Sequence, residues 1–178
     1  FPKNQKALDG LEAINTPKTH TQSIDPSIAH QLALLLKKKN FIEGIALCKS
    51  TLKLHQNSFQ LWNILGAFYL QKNDIDLAES AFLNATRINE KYEDPIINLA
   101  NLYKSKGDYD KALTYFKNAL AINQNRPEAN FGLANTYHQL NKIEDAIFYY
   151  ELYCSLNPEN PQALENLGVA YRKKGDLE

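Results

Sequence analysis

Residues 62–69 read Trp62-Asn63-Ile64-Leu65-Gly66-Ala67-Phe68-Tyr69, and the pattern returns every 34 residues, at 96–103, 130–137 and 164–171. One column is Tyr69, Tyr103, Tyr137 and Tyr171; another is Leu65, Leu99, Leu133 and Leu167. A third holds only small residues, Gly66, Ala100, Ala134 and Gly168. The second half of each unit repeats as well: Ala78, Ala112 and Ala146, then Phe82, Phe116 and Tyr150, then Ala85 and Ala119, where Tyr153 is the exception. No insertion breaks the register over more than a hundred residues. Self-similarity at such a period marks an array of stacked supersecondary units.

Each unit holds two helical stripes. Ile96, Leu99, Ala100 and Tyr103 stand at spacings of three and four, as on one face of an α-helix. Lys106-Gly107-Asp108 breaks that helix, and glycine accepts the left-handed conformation of a helix end. Asn73 and Asn141 take the place of Gly107 in neighbouring units and tolerate the same conformation. Tyr109, Ala112, Leu113, Phe116, Ala119 and Leu120 form the stripe of the second helix. The small columns let helices approach closely while the Tyr and Phe columns fill the space beside them, so a large side chain at Ala112 costs ~1–3 kcal/mol or more. Pro95, Pro127 and Pro161 stand where a first helical turn begins, where the missing N–H costs nothing.

These columns match the tetratricopeptide signature W-x2-L-G-x2-Y…A-x3-F…P. Unit 59–92 carries Trp62, Leu65, Gly66, Tyr69, Ala78, Phe82 and Ala85, and unit 127–160 adds Pro158. The resemblance runs from about residue 25 to residue 178. It implies an all-α, right-handed α-solenoid of antiparallel helical hairpins. The expected units are 25–58, 59–92, 93–126 and 127–160, with 161–178 the first helix of a further repeat. Unit 25–58 is degenerate: Gln31 stands in the leucine column, Gly44 in the alanine column, and Cys48 replaces the aromatic. Residues 1–24 read as the end of a preceding repeat, a partial helix and an irregular linker around Pro17. A chain that begins and ends in mid-repeat favours a fragment of a longer protein.

Composition narrows the function. The 20 basic and 20 acidic side chains sum to zero and interleave along the chain. No basic block is present to release counterions from nucleic acid, and no basic amphipathic stretch suits a membrane surface. The apolar run Leu32 to Leu36, which no other exceeds, is far short of the ~20 residues that span a bilayer; Lys37-Lys38-Lys39 after it reads as a solvated helix end. Cys48 and Cys154 read as small core residues, which points to a reducing, cytoplasmic setting. His20, His30, His55 and His138 lie in no recognised metal spacing. No nucleophile elbow, phosphate-binding loop or zinc-protease motif occurs. No catalytic, cofactor or metal residue is expected, and the chain is not expected to be an enzyme by itself. The tyrosine column belongs to packing rather than to stacking on bases.

What remains are first-helix positions off the core stripe. In the family the first helices line the concave side, which implies that Asn98, Asn101, Asn130, Asn135 and Asn166 face a groove, flanked by Lys104, Phe131 and His138. An asparagine amide both donates and accepts, so it can pair with a peptide backbone of any sequence. The pattern partly resembles the asparagine-lined arrays of O-linked N-acetylglucosamine transferases and of bacterial arrays fused to transferases. Ile64 and Gly132 interrupt the Asn98–Asn166 column. The two-carboxylate clamp of chaperone-binding arrays is not expected, because the relevant column reads Ala29, Asn63, Ile97, Phe131 and Glu165, without lysine. The expected function is a scaffold holding an extended peptide or a helix in the groove; the alternative is the substrate-selecting region of a larger glycosyl-, sulfo- or methyltransferase. The last helix lacks a cover, so Leu164, Leu167 and Tyr171 are expected to be more exposed than their equivalents, offering a surface for self-association.

Overall fold

The computed structural model describes residues 24–175. The expected earlier repeat, partial helix and linker at 1–24 lie, apart from Ile24, outside them. Among the described residues there are nine α-helices: α1 (Pro26–Lys37), α2 (Phe41–Leu54), α3 (Phe59–Gln71), α4 (Ile75–Ile88), α5 (Glu93–Ser105), α6 (Tyr109–Ile122), α7 (Pro127–Gln139), α8 (Ile143–Leu156) and α9 (Pro161–Gly175). The fold is all-α. Each helix packs on the next, and the first helices of successive hairpins also touch, α3 on α5 and α5 on α7. The first helices α3, α5 and α7 therefore form a continuous wall.

The turns explain the pairing. At the same register position in four hairpins the backbone is left-handed: Lys39 (φ 55°), Asn73 (φ 68°), Gly107 (φ 78°) and Asn141 (φ 58°). The next residue closes back on the helix in each case, Asp74 N–H donating to Tyr69 O and Asp108 N–H to Tyr103 O, both at 2.9 Å. This is the wrapped helix end that glycine and asparagine favour. Lys39, expected only as part of a solvated basic end, adopts the same conformation at a cost to a side chain with a Cβ. Side chains start several of the following helices: Asp25 accepts from Ser27 N–H at 2.8 Å, and Asp108 accepts from Lys111 N–H at 3.2 Å.

The repeating columns are the core. Ala78, Ala112 and Ala146, with Phe82, Phe116 and Tyr150, are fully buried. Burial of each such aromatic side chain contributes roughly 1.5–3 kcal/mol. The degenerate hairpin is repaired by its neighbour. A Cβ on Gly44 would fall 2.1 Å from the Phe68 ring, so the large ring of one hairpin occupies the space of the missing methyl on the other. Cys48 is fully buried, whereas Cys154, expected in the core, is only partly so. In α9, Leu164 and Tyr171 are each 48% exposed, against 8% or less for Tyr69, Tyr103 and Tyr137.

Candidate functional site

The expected groove residues separate into structural amides and an open pocket. Asn130 is a correction: it is fully buried. Its register position is that of Trp62, and it does the same work. The Trp62 indole donates to Gln56 O at 3.0 Å, and the Asn130 amide reaches Gln124 O at 3.5 Å. Both brace the connection from the preceding hairpin. Asn98 and Asn166 are clasps between first helices rather than free ligand contacts. Asn98 donates to Asn63 Oδ1 at 2.9 Å, joining α5 to α3. Asn166 donates to Asn135 Oδ1 at 3.2 Å, joining α9 to α7.

Asn101 is the exception, and the register gives the cause. Adding 34 to Asn101 gives Asn135, and adding 34 to Gly132 gives Asn166. The Asn135–Asn166 clasp thus has its counterpart in Asn101 and Gly132, and glycine has no amide to offer. Nor can a side chain stand there, since a Cβ on Gly132 would lie 2.2 Å from the Phe116 ring. Between α5 and α7 a pocket of about 410 Å³ opens instead, lined by Asn101, Lys104, Pro127, Glu128, Phe131, Gly132, Asn135, Tyr153 and Asn157. A smaller hollow of about 330 Å³ adjoins it, sharing Lys104 and Asn135 and bounded by Tyr109 and Gln139.

The pocket is rich in donors. Lys104 is half-buried, burial holds its ammonium below the usual lysine pKa, and among the described residues no carboxylate pairs with it. Its Nζ lies 5.9 Å from the centre of the Phe116 ring. Asn135 Oδ1 is already taken by the Tyr150 hydroxyl at 2.7 Å and by Asn166, which leaves its NH2 group to donate. Asn157 Nδ2 is buried without a partner. Phe131 forms an apolar wall with Tyr153, their ring centres 4.8 Å apart. His138 packs edge-on to Tyr150 at 6.5 Å and lines neither hollow. Sequence reasoning missed Tyr153 and Asn157. Their signal was present, since Tyr153 breaks an otherwise alanine column and has to project into space that alanine leaves empty.

Helical hairpins stacked in sequence order beside a wall of first helices define an α-helical repeat array. Sequence models of the tetratricopeptide repeat match residues 59–92, 103–153 and 134–175. The chain belongs to the tetratricopeptide-repeat proteins. Solved structures agree on the fold. MamA is 21% identical with a TM-score of 0.73, covering 86% of each chain. YrrB, described as a TPR protein with an unusual peptide-binding site, is 19% identical with a TM-score of 0.67, covering 99% of this chain and 87% of its own. The first TPR of Spaghetti (RPAP3), bound to the HSP90 peptide SRMEEVD, is 20% identical with a TM-score of 0.64, covering 66% of this chain and 93% of its own. No curated protein matches the chain in sequence. No described helix is long and apolar enough to cross a membrane, and no cluster of three or more His, Cys, Asp or Glu able to hold a metal occurs among the described residues.

Proposed function

We propose that this array is a protein-interaction scaffold that binds an extended, acceptor-rich peptide segment between α5 and α7, with no catalytic role of its own. The observation that carries this reading is the pocket's donor excess. Lys104, Asn135 Nδ2 and Asn157 Nδ2 all donate, and the one carboxylate of the lining, Glu128, pairs with Arg126 rather than with Lys104. Burying an ammonium without a partner is costly. A ligand carboxylate at Lys104 offsets that cost, backbone carbonyls take the amide donors, and an apolar side chain packs on Phe131 and Tyr153. Asn101 supplies both a donor and an acceptor for the peptide backbone.

The test is selection of peptides from a random display library on the immobilised protein. The expected consensus carries an Asp or Glu beside an apolar residue. Affinity for the selected peptide should fall about tenfold or more in the double variant Asn101→Ala with Lys104→Gln, equivalent to about 1.4 kcal/mol. Circular dichroism should be unchanged, because neither side chain makes a hydrogen bond or ion pair among the described residues. A folded double variant that binds with undiminished affinity overturns the assignment.

A further inference from the structure

Two side chains that line the amide pocket are held from outside it, by α9 and its cap. The first is Asn135. Gln162 Nε2 donates to Asn166 Oδ1 at 3.1 Å, and Asn166 Nδ2 donates to Asn135 Oδ1 at 3.2 Å. The Tyr150 hydroxyl donates to the same Asn135 oxygen at 2.7 Å. The three amides form a relay of one polarity, running from the first turn of α9 to the wall of α7. An amide has a donor end and an acceptor end, so the relay decides which end Asn135 turns to the pocket. Reversing Asn135 would set its NH2 against the NH2 of Asn166 and take the acceptor from the Tyr150 hydroxyl. The second side chain is Tyr153. Its hydroxyl accepts from Asn160 Nδ2 at 3.0 Å, while Asn160 Oδ1 accepts from the Ala163 N–H at 3.0 Å and so caps the start of α9. The Tyr153 ring is the one that stands 4.8 Å from Phe131. Neither Asn160 nor Asn166 lines the pocket.

We infer, on the reading that this pocket takes a peptide, that Asn166 and Asn160 are its positioning residues, and that peptide binding and the docking of α9 stabilise each other. Asn166 keeps the NH2 group of Asn135 turned to the pocket, and Asn160 holds the Tyr153 ring beside Phe131. A ligand that accepts from Asn135 and packs on Tyr153 therefore favours the state in which α9 is in place. Such coupling is reciprocal: the factor that docked α9 adds to the affinity for the peptide is the factor that the peptide adds to the docking of α9. The helix is suited to respond. Among its described residues only the small Ala163 and Ala170 are buried, and Leu164 and Tyr171 leave its outer stripe uncovered. Elements with few buried apolar contacts open at the lowest free energy.

The probe is a capped hexapeptide, Gly-Ser-Leu-Glu-Ser-Gly, titrated into the 15N-labelled protein, with amide hydrogen exchange followed in the free and the saturated states. Wild type should show saturable shifts at Asn101, Lys104 and Asn135, and saturation should slow exchange across α9 about fivefold or more. Tyr153→Phe with Asn166→Ala keeps a ring beside Phe131 and removes both ties. It should weaken the peptide by about the factor measured at α9, and saturation should then leave α9 exchange unchanged. Asn166→Ala alone changes a half-buried side chain outside the pocket, so it reports even where the double variant fails to fold, and it should lose part of both effects. Pocket shifts without slower exchange in α9, or undiminished affinity in either folded variant, overturn the inference and leave the peptide site standing. Absence of pocket shifts at millimolar peptide overturns the site and the inference together.

Discussion

Gly132 and Gly168 both sit inside first helices, yet their surroundings oppose each other. A Cβ on Gly132 would strike the Phe116 ring at 2.2 Å, whereas one on Gly168 meets nothing within 4 Å. Gly132→Ala should destabilise by ~1–3 kcal/mol through overpacking. Gly168→Ala should stabilise by about 0.5–1 kcal/mol through the higher helix propensity of alanine. Urea unfolding of the two variants decides it, and equal signs would contradict the packing described. Asparagine shows the same dependence on place. Asn130, Asn98, Asn135 and Asn101 were equivalent when read as polar residues off a stripe. Their partners lie 6 to 35 residues away or, for Asn101, do not occur among the described residues, so only the fold separates a brace, two clasps and an unpaired amide.

At the scale of the element, the helices and turns were legible almost to the residue, because each depends on local chemistry. Asn73, Gly107 and Asn141 mark helix ends, and proline or a capping side chain marks several starts. What joins one hairpin to the next was not legible, since it runs across the register. Glu79 of α4 is such a tie, accepting from Lys106 at 2.6 Å and from the Tyr103 hydroxyl. The Lys106 hydrogen bond first, and the Tyr103 bond second, hold its carboxyl below the ordinary value of 4.5. A depressed folded-state pKa contributes stability that is present above the unfolded value and is lost as pH falls through the folded one. Stability should therefore drop as pH falls below the ordinary glutamate value and through the lowered one, and Glu79→Gln should flatten that part of the profile. At neutral pH the same variant should lose less than about 1 kcal/mol, because the pair is partly solvated. A wild-type and variant profile that fall in parallel would remove Glu79 from the account.

Across the whole molecule, repetition builds the core and departures from repetition build the sites. Gly132 leaves Asn101 without its clasp and opens the pocket between α5 and α7. The sequence columns displayed this departure, but its meaning depended on the neighbour that fills the corresponding space elsewhere. Exposure of Leu164 and Tyr171 on α9 follows from the same logic, since no described helix covers that stripe as α8 covers its predecessor. The central claim is that an acceptor-rich peptide lies between α5 and α7. The most direct measurement is an amide chemical-shift map of the peptide selected on this protein. The account predicts the largest changes at Asn101, Lys104, Phe131 and Asn135 and at the side-chain amide of Asn157, with α1 and α2 unmoved. Changes concentrated on the second helices or on the exposed face of α9, with these residues silent, would contradict it.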